Sequence, residues 1–418
     1  MKSNKLNKQI IAYPLFVLTM MISVFFIISC NKESGFSGTP VINSVRLLDS
    51  AKKDSTFVQA LPGTQVLIEG QNLAGITNAY FNDFPAYFNP VYNTNYNLII
   101  TIPSNAPTEA TNPDVPNTIR LVTTHGEAVY QFTLDIPPPV INAISNENAL
   151  PGDSLIIWGS NLWLIEKIIF PGGKEVTDVN TTESGYRVGL IMPDLGDDTG
   201  RITIVAKYGT TASDAPLNDH QSGNVISNLT ASWESGETSV FNWSWWGANR
   251  TNDASLFPGT RGGYLQSVFG GVGADDAAWW TNNRAGNFDE VPLFTEAVRT
   301  EQAENYALKF EINTKEPWIA GINLLRLGDN YAYRFMPWLN STDKIFDTDD
   351  KWQTVTVPLS WFAASSSSGE GTGPAAASMA DLVKPGGKVA FSYRIITTTD
   401  PIDLYNAAYD NFRIVKIK

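Results

Sequence analysis

The chain is poor in the side chains that most active sites use. Of its 418 residues one is cysteine, Cys30, and two are histidine, His125 and His220. A single thiol excludes an internal disulfide framework and a thiolate zinc site. Neither histidine has a partner at metal-ligand or triad spacing, so both read as surface residues. Basic residues are also scarce. Lys and Arg number 29 against 42 Asp and Glu, which leaves a net charge of −13. That balance excludes the basic stripe expected of a nucleic-acid binder and a polybasic patch for anionic lipid. Helical periodicity is missing as well. Instead, 24 prolines and 32 glycines are dispersed along the chain, as many short strands and turns require.

The N-terminus carries an export signature. Lys2, Lys5 and Lys8 precede a mostly apolar run, Ile10 to Ile28, that ends in Ser29-Cys30. This is the layout of a secretory signal. A small residue before the lone cysteine resembles a bacterial lipobox, which implies cleavage after residue 29 and a lipid on Cys30. An uncleaved anchor helix with Cys30 as a buried thiol is the alternative. With Cys30 lipidated, no cysteine nucleophile remains. Residues 30–39 read as a flexible tether rich in Gly and Ser. The Lys32-Glu33 pair resembles the export signal of surface-exposed Bacteroidetes lipoproteins.

The most specific feature is an internal repeat. Pro40-Val41-Ile42-Asn43 recurs as Pro139-Val140-Ile141-Asn142. The block from Pro62-Gly63 to Gly70-Gln71-Asn72-Leu73 recurs without a gap, 89 residues on, as Pro151-Gly152 to Gly159-Ser160-Asn161-Leu162. Pro-Gly sets a tight turn, an alternating strand follows, and Gly-x-Asn-Leu supplies residues tolerant of positive φ for a second turn. Short strands at this spacing predict β-sandwiches of about 90–100 residues. The blocks resemble the IPT/TIG family of immunoglobulin-like domains, which act mostly as spacers. The boundaries implied are 40–136 and 137–217, with Pro137-Pro138-Pro139 as a stiff hinge. Trp158, in mid-strand, reads as a core residue.

From residue 218 to 418 the composition changes. Ten of the twelve tryptophans lie from Trp233 onward. Lys351-Trp352 to Trp361-Phe362 alternates cleanly, and Tyr409-Asp410-Asn411-Phe412 opens the closing strand. These two segments resemble the last strands of jelly-roll carbohydrate-binding modules, with Trp352, Val355, Val357, Phe412 and Ile414 as scaffold. The fold class expected is therefore all-β, two immunoglobulin-like sandwiches in tandem followed by a larger jelly-roll-like sandwich. Residues 363–378, a Ser/Gly/Ala run, read as a surface loop or as a rim closing over ligand.

A sugar-binding surface needs flat aromatic faces for the ring and polar forks for its hydroxyls. Lys315–Trp338 offers both on two strand-like runs around a Gly328-Asp329-Asn330 turn. Trp318 and Trp338 are the expected stacking pair, with Tyr333 as a third and Asn323 and Arg326 as polar partners. Tyr331 shares the strand face of Tyr333, so both point outward or neither does. Trp279-Trp280, after Gly270-Gly271-Val272-Gly273, is a rival platform of which at most one member, Trp280, would stack if the pair is extended. The competing reading is that such strand aromatics simply fill a core.

Lipobox, spacer repeats and a Trp-rich terminal sandwich together resemble the surface glycan-binding proteins (SGBP-B-like) of Bacteroidetes polysaccharide-utilisation systems. The resemblance implies a non-catalytic, lipid-anchored protein at the outer-membrane surface that captures a polysaccharide, a β-linked plant-type glycan for a flat platform, beside a SusC/SusD-like transporter pair. No cofactor and no metal are expected; Asp clusters could hold a structural Ca²⁺, as in many jelly rolls, but no ligand spacing requires one. If the repeats are only spacers, deleting residues 40–215 would leave binding intact. Two other classes stay open. A surface glycoside hydrolase or lyase would need paired carboxylates, for which Asp275, Asp276, Asp289 and Glu290 are available. A protein-binding adhesin would use the same spacers.

Overall fold

The computed structural model describes residues 38–49, 54–219, 224–227, 229, 241–242, 247–259 and 262–418. Cys30 and the signal segment lie outside the described residues, as do His220, Trp233, Trp243, Trp245 and Trp246. The chain forms two compact units, one ending at Ile136 and the other running from Pro137 to Lys418. Each is built of strands and short helical turns.

The first unit is a sandwich. Val41–Arg46, Gln65–Gln71 and Asn97–Thr101 form one sheet; Phe84–Ala86, Ile76–Phe81, Thr118–Thr123 and Gly126–Gln131 form the other. Alternation in Gln65–Gln71 turns Val66 and Ile68 into the core, where they meet Phe81, Leu98 and Leu121. The sister repeat opens the second unit in the same way. Val140–Ile144, Ser154–Ser160, Arg187–Ile191 and Asn180–Thr181 form one sheet, and Ile165–Ile169 and Thr203–Ala206 are central to the other. Leu155 and Ile157 point inward. Trp158, next in line, therefore faces solvent and is not the core residue that its mid-strand place suggested.

The repeated Gly-x-Asn-Leu block has two separate jobs. The asparagines hold the left-handed turn, Asn72 at φ 55° and Asn161 at φ 56°, and each side-chain amide donates to the carbonyl before the opening strand, Thr39 or Pro138. The glycines serve close approach instead. A Cβ at Gly70 would lie 2.0 Å from the Val41 carbonyl oxygen, and one at Gly159 would lie 1.9 Å from that of Val140.

The C-terminal module is a larger sandwich. In one sheet Tyr264–Val272, Ile402–Lys416, Tyr306–Thr314 and Gln353–Pro358 pair in that order; in the other Ala285–Phe288, Phe391–Ile396, Ile322–Leu327 and Tyr331–Phe335 do. Their inner faces meet through aromatic contacts such as Phe310 with Phe335 at 5.7 Å and Phe288 with Phe412 at 5.1 Å. Scaffold positions Val357, Phe412 and Ile414 are core, with Val355 at its margin. Trp352 is buried with Phe257 and Tyr264 in a smaller cluster.

The outer faces of the two sheets differ, and this decides where ligand can reach. Tyr306–Thr314 alternates like a strand with one wet face, yet every residue in it is buried. The second repeat covers its polar side. Glu147 pairs with Lys309 and also accepts from Arg413 Nη2 at 2.8 Å. Arg413 in turn grips Glu311 at 2.9 Å. Thr354 N–H donates to the Ser145 carbonyl at 2.8 Å. The outer face of the opposite sheet has no such cover from the repeat among these bonds.

Candidate functional site

The site is built on the outward face of the sheet containing Ile322–Leu327. Leu325 and Leu327 point into the core, as do Phe391, Tyr393 and Ile395 of the neighbouring strand and Phe335 of the other neighbour. Their alternates face outward. Register puts Ala285, Arg394, Leu324 and Arg334 side by side in one row across four strands. Asn287, Ser392, Arg326 and Ala332 form the next row. Three arginines thus share one face of a chain whose net charge is −13.

The Ser/Gly/Ala segment runs beside this face. Its start, Ala363–Ala364, pairs with Tyr331 and Ala332 and extends the sheet. Farther on, Glu370 reaches the arginines. Arg326 Nε donates to Glu370 Oε2 at 2.6 Å, and Arg394 Nη1 donates to Oε1 at 3.3 Å. Arg334 Nη1 donates to the Glu370 backbone carbonyl at 3.2 Å. Gly369 and Gly371, at φ 123° and 70°, permit the bend. Burial, with Arg326 nearby, pulls the Arg394 guanidinium below its usual range, and Glu370 works against this. Arg394 Nε is buried and makes no hydrogen bond.

Aromatic surface enters from the loop between Tyr264–Val272 and Ala285–Phe288. Arg394 stacks on Trp279, its guanidinium carbon 4.0 Å from the ring centroid. Trp280 stands at 85° to Trp279 with centroids 5.7 Å apart, and 52% of its surface is exposed. A guanidinium with no exposed surface shapes this loop. Arg284 bonds Asp276 Oδ1 at 3.1 Å, Thr281 Oγ1 at 3.0 Å and the Ala278 carbonyl. Asp276 also accepts the Ala278 N–H at 2.7 Å. That bond first, then Arg284, holds the Asp276 carboxyl below its usual range. Asp276 N–H reaches Thr397 Oγ1 at 2.9 Å, tying the loop to the end of Phe391–Ile396. The tryptophans are carried by a turn bonded at both ends.

The expected platform around Trp318 is not on the surface. Trp318 is 2% exposed and packs edge-on against Phe335, Phe346 and Tyr405. Its indole N–H is spent on the Ala320 carbonyl at 2.6 Å. Asn323 is buried too, because it shares the inward phase of Leu325, and it donates to the Tyr409 hydroxyl at 3.1 Å. Both are corrections to the sequence reading. Trp338 is half-buried at the edge of the core, its N–H on the Gly321 carbonyl at 3.0 Å. Tyr331 and Tyr333 share one face, as alternation requires, and that face packs on the core. Tyr333 also lies 5.8 Å from Trp361, which is 56% exposed. Of the named residues, Arg326 and Trp280 are the two on the accessible side. Sequence reading missed Arg394 and Glu370. The alternation of Phe391-Ser392-Tyr393-Arg394-Ile395 carried the signal for Arg394.

Two of the four carboxylates considered for hydrolysis, Asp276 and Glu290, are committed elsewhere. Asp276 holds Arg284. Glu290 binds Lys384 and Lys388 at 2.9 and 3.5 Å, and these bonds lower its pKa. A glycosidase acid needs the opposite shift. Among the described residues no group of three or more His, Cys, Asp or Glu side chains could hold a metal ion.

This is a tandem β-sandwich protein whose last module sets aromatic and arginine side chains along the outward side of one sheet, beside the loop that carries Glu370. Residues 222–416 match the family described as the surface glycan-binding protein B xyloglucan binding domain. An IPT/TIG domain-containing protein of Bacteroides ovatus is 29% identical over 214 residues, 51% of this chain and 41% of that protein. The chain thus spans about two-fifths of that relative's length. The crystal structure of the surface glycan-binding protein PbSGBP-B from Prevotella bryantii is similar with a TM-score of 0.66 at 22% identity, covering 91% of this chain and 100% of that one. The fold is shared across that span. Residues 222–416 are thus similar to that family's binding domain, and two further β-sandwiches precede them in the chain.

Proposed function

We propose that the chain is a non-catalytic surface protein that captures a polysaccharide on the outward sheet face of its C-terminal module. The observation that carries this reading is the juxtaposition of exposed Trp280 with Trp279 and Arg394 on the outward side of the sheet, in a segment matching a glycan-binding family. The exposed indole stacks on the apolar face of a sugar ring, which gives on the order of 1 kcal/mol beyond area burial. Arginine and asparagine forks on the neighbouring rows bond the ring hydroxyls. Micromolar affinity is the expected scale. Of the carboxylates that could have served hydrolysis, Asp276 and Glu290 are held ionised by N–H groups and cations.

The remaining parts of the reading follow from the family. Cys30 carries a lipid that holds the chain at the outer-membrane surface, the repeats 40–136 and 137–217 give reach, and a SusC/SusD-like transporter takes up what the module binds. The glycan is a β-linked plant-type polysaccharide; the matched family is named for xyloglucan. Affinity gel electrophoresis of the protein through xyloglucan, mixed-linkage β-glucan, glucomannan and xylan tests this. Retardation without release of reducing ends is expected, and Trp280→Ala should remove it. Migration unchanged in every gel would refute the reading, and release of sugars would replace it with an enzyme.

A further inference from the structure

The arginines of the outward face are more than neutral hydroxyls require. Arg326, Arg334 and Arg394 are set within two adjacent rows, and the one carboxylate among them, Glu370, comes from the adjacent loop. Glu370 receives Arg326 on one oxygen and Arg394 on the other. Bridging of this kind matches the geometry of a carboxylate and not of a hydroxyl, which has one oxygen to offer. Even with Glu370 in place the group keeps two positive charges in excess. Arg394 also has a buried Nε with no acceptor, a donor that the loop carboxylate does not reach. General charge attraction cannot account for the arrangement, because the whole chain is strongly acidic. Only this local placement favours an anion.

We propose that the face selects glycans bearing carboxylates, a uronic acid in the backbone or as a side group, with the sugar carboxylate bridging Arg326 and Arg394 where Glu370 sits in the free protein. Trp280 stacks on an adjoining ring, and Trp279 backs Arg394. Arg334 fixes the loop through the Glu370 carbonyl, so the loop is kept nearby when its side chain is displaced. Glu370 acts as an internal competitor that keeps the arginines paired until ligand arrives. A neutral polymer gains nothing by displacing it and is bound more weakly.

This inference rests on the glycan-binding reading above, and its test separates the two. Full-length protein is titrated calorimetrically with matched polymers: a glucuronic-acid-substituted xylan and the same xylan after carboxyl reduction, with neutral xyloglucan alongside. The acidic polymer should bind at least tenfold more tightly than its reduced form. Arg394→Gln should lower affinity for the acidic polymer about tenfold and lower that for the neutral ones much less, so that the ratio of the two affinities falls by about fivefold or more. Glu370→Gln should raise acidic-polymer affinity several-fold, with circular dichroism and melting checked so that a loosened loop is recognised. Arg326→Gln is the second variant if Glu370→Gln melts early. Equal affinity for acidic and reduced xylan, or binding of neutral polymers alone, overturns the carboxylate inference and leaves glycan capture standing. Binding to none of the polymers removes both.

Discussion

Glu147 Oε2 accepts from Arg413 Nη2 at 2.8 Å, across 266 residues of chain, and neither side chain is more than a tenth exposed. The bond joins the second repeat to the closing strand. Around it are Lys309 and Glu311, also buried. A buried pair of this kind is weak as a source of stability when weighed against apolar packing, but breaking it leaves an uncompensated charge. Glu147→Ala should therefore destabilise the unit from Pro137 onward by about 3–5 kcal/mol, read by urea denaturation. The same bond revises the spacer expectation. Removing residues 40–215 also removes Glu147 and bares Lys309 and Arg413. A chain starting at Pro137 should melt cooperatively and bind glycan, whereas one starting at residue 218 should melt lower. Equal melting of the two would mean the cluster holds nothing together.

Arg284 is the test of how the tryptophan loop is held. Its guanidinium has several acceptors in residues 276–281 and no exposed surface. Arg284→Ala strands them, at a cost of about 2–4 kcal/mol. Hydrogen exchange in residues 276–284 should rise and glycan retention should fall, although Arg284 touches no ligand. Unaltered exchange in that loop would show that other bonds position Trp279 and Trp280.

Trp318 and Trp280 should behave oppositely. Trp318→Ala opens a cavity in the core and should cost about 3–5 kcal/mol of stability. Trp280→Ala changes an exposed side chain, so melting should move by less than about 0.5 kcal/mol, while affinity falls about tenfold, equivalent to about 1.4 kcal/mol. A stable Trp318→Ala variant that binds nothing would restore the original platform.

Asp410 carries a pH dependence. Burial first, then the neighbouring Glu311, pushes its carboxyl well above the usual 3.8. The folded state therefore holds a proton that the unfolded state releases. Between 3.8 and that raised value the folded chain binds more protons, so stability falls as pH rises through the window. Asp410→Asn keeps the acceptor for the Asn411 N–H, bonded at 2.7 Å in the native chain, and removes the titration. The variant should melt higher than the parent at pH 8 and near it at pH 4, by differential scanning calorimetry. A parent whose melting point rises from pH 4 to pH 8 relative to the variant would contradict this.

The repeat was legible because local chemistry dictated it. A turn that needs Pro-Gly and a strand end that needs Gly and Asn repeat wherever the fold does, and Gly70 with Asn72 are matched by Gly159 with Asn161 down to their contacts. The site was less legible, because aromatic content does not reveal which side of a sheet is open. Trp318 sits at the end of a run and looks presentable, but Phe346, brought from farther along the chain, closes over it. Tyr306–Thr314 reads as half-wet until a repeat supplies Glu147, 162 residues earlier, for Lys309. Arg326 and Arg394 are far apart in sequence and become one feature only once register sets their strands side by side.

The bonding of the tryptophan loop also bears on time. A turn fixed at Thr397 and filled by Arg284 has little ordering left to do when a sugar arrives. No slow rearrangement then limits encounter, and a micromolar complex forming at about 10⁷ M⁻¹s⁻¹ lasts only about a tenth of a second. On a polymer with many equivalent rings, such brief visits would let the module step along the strand without diffusing away.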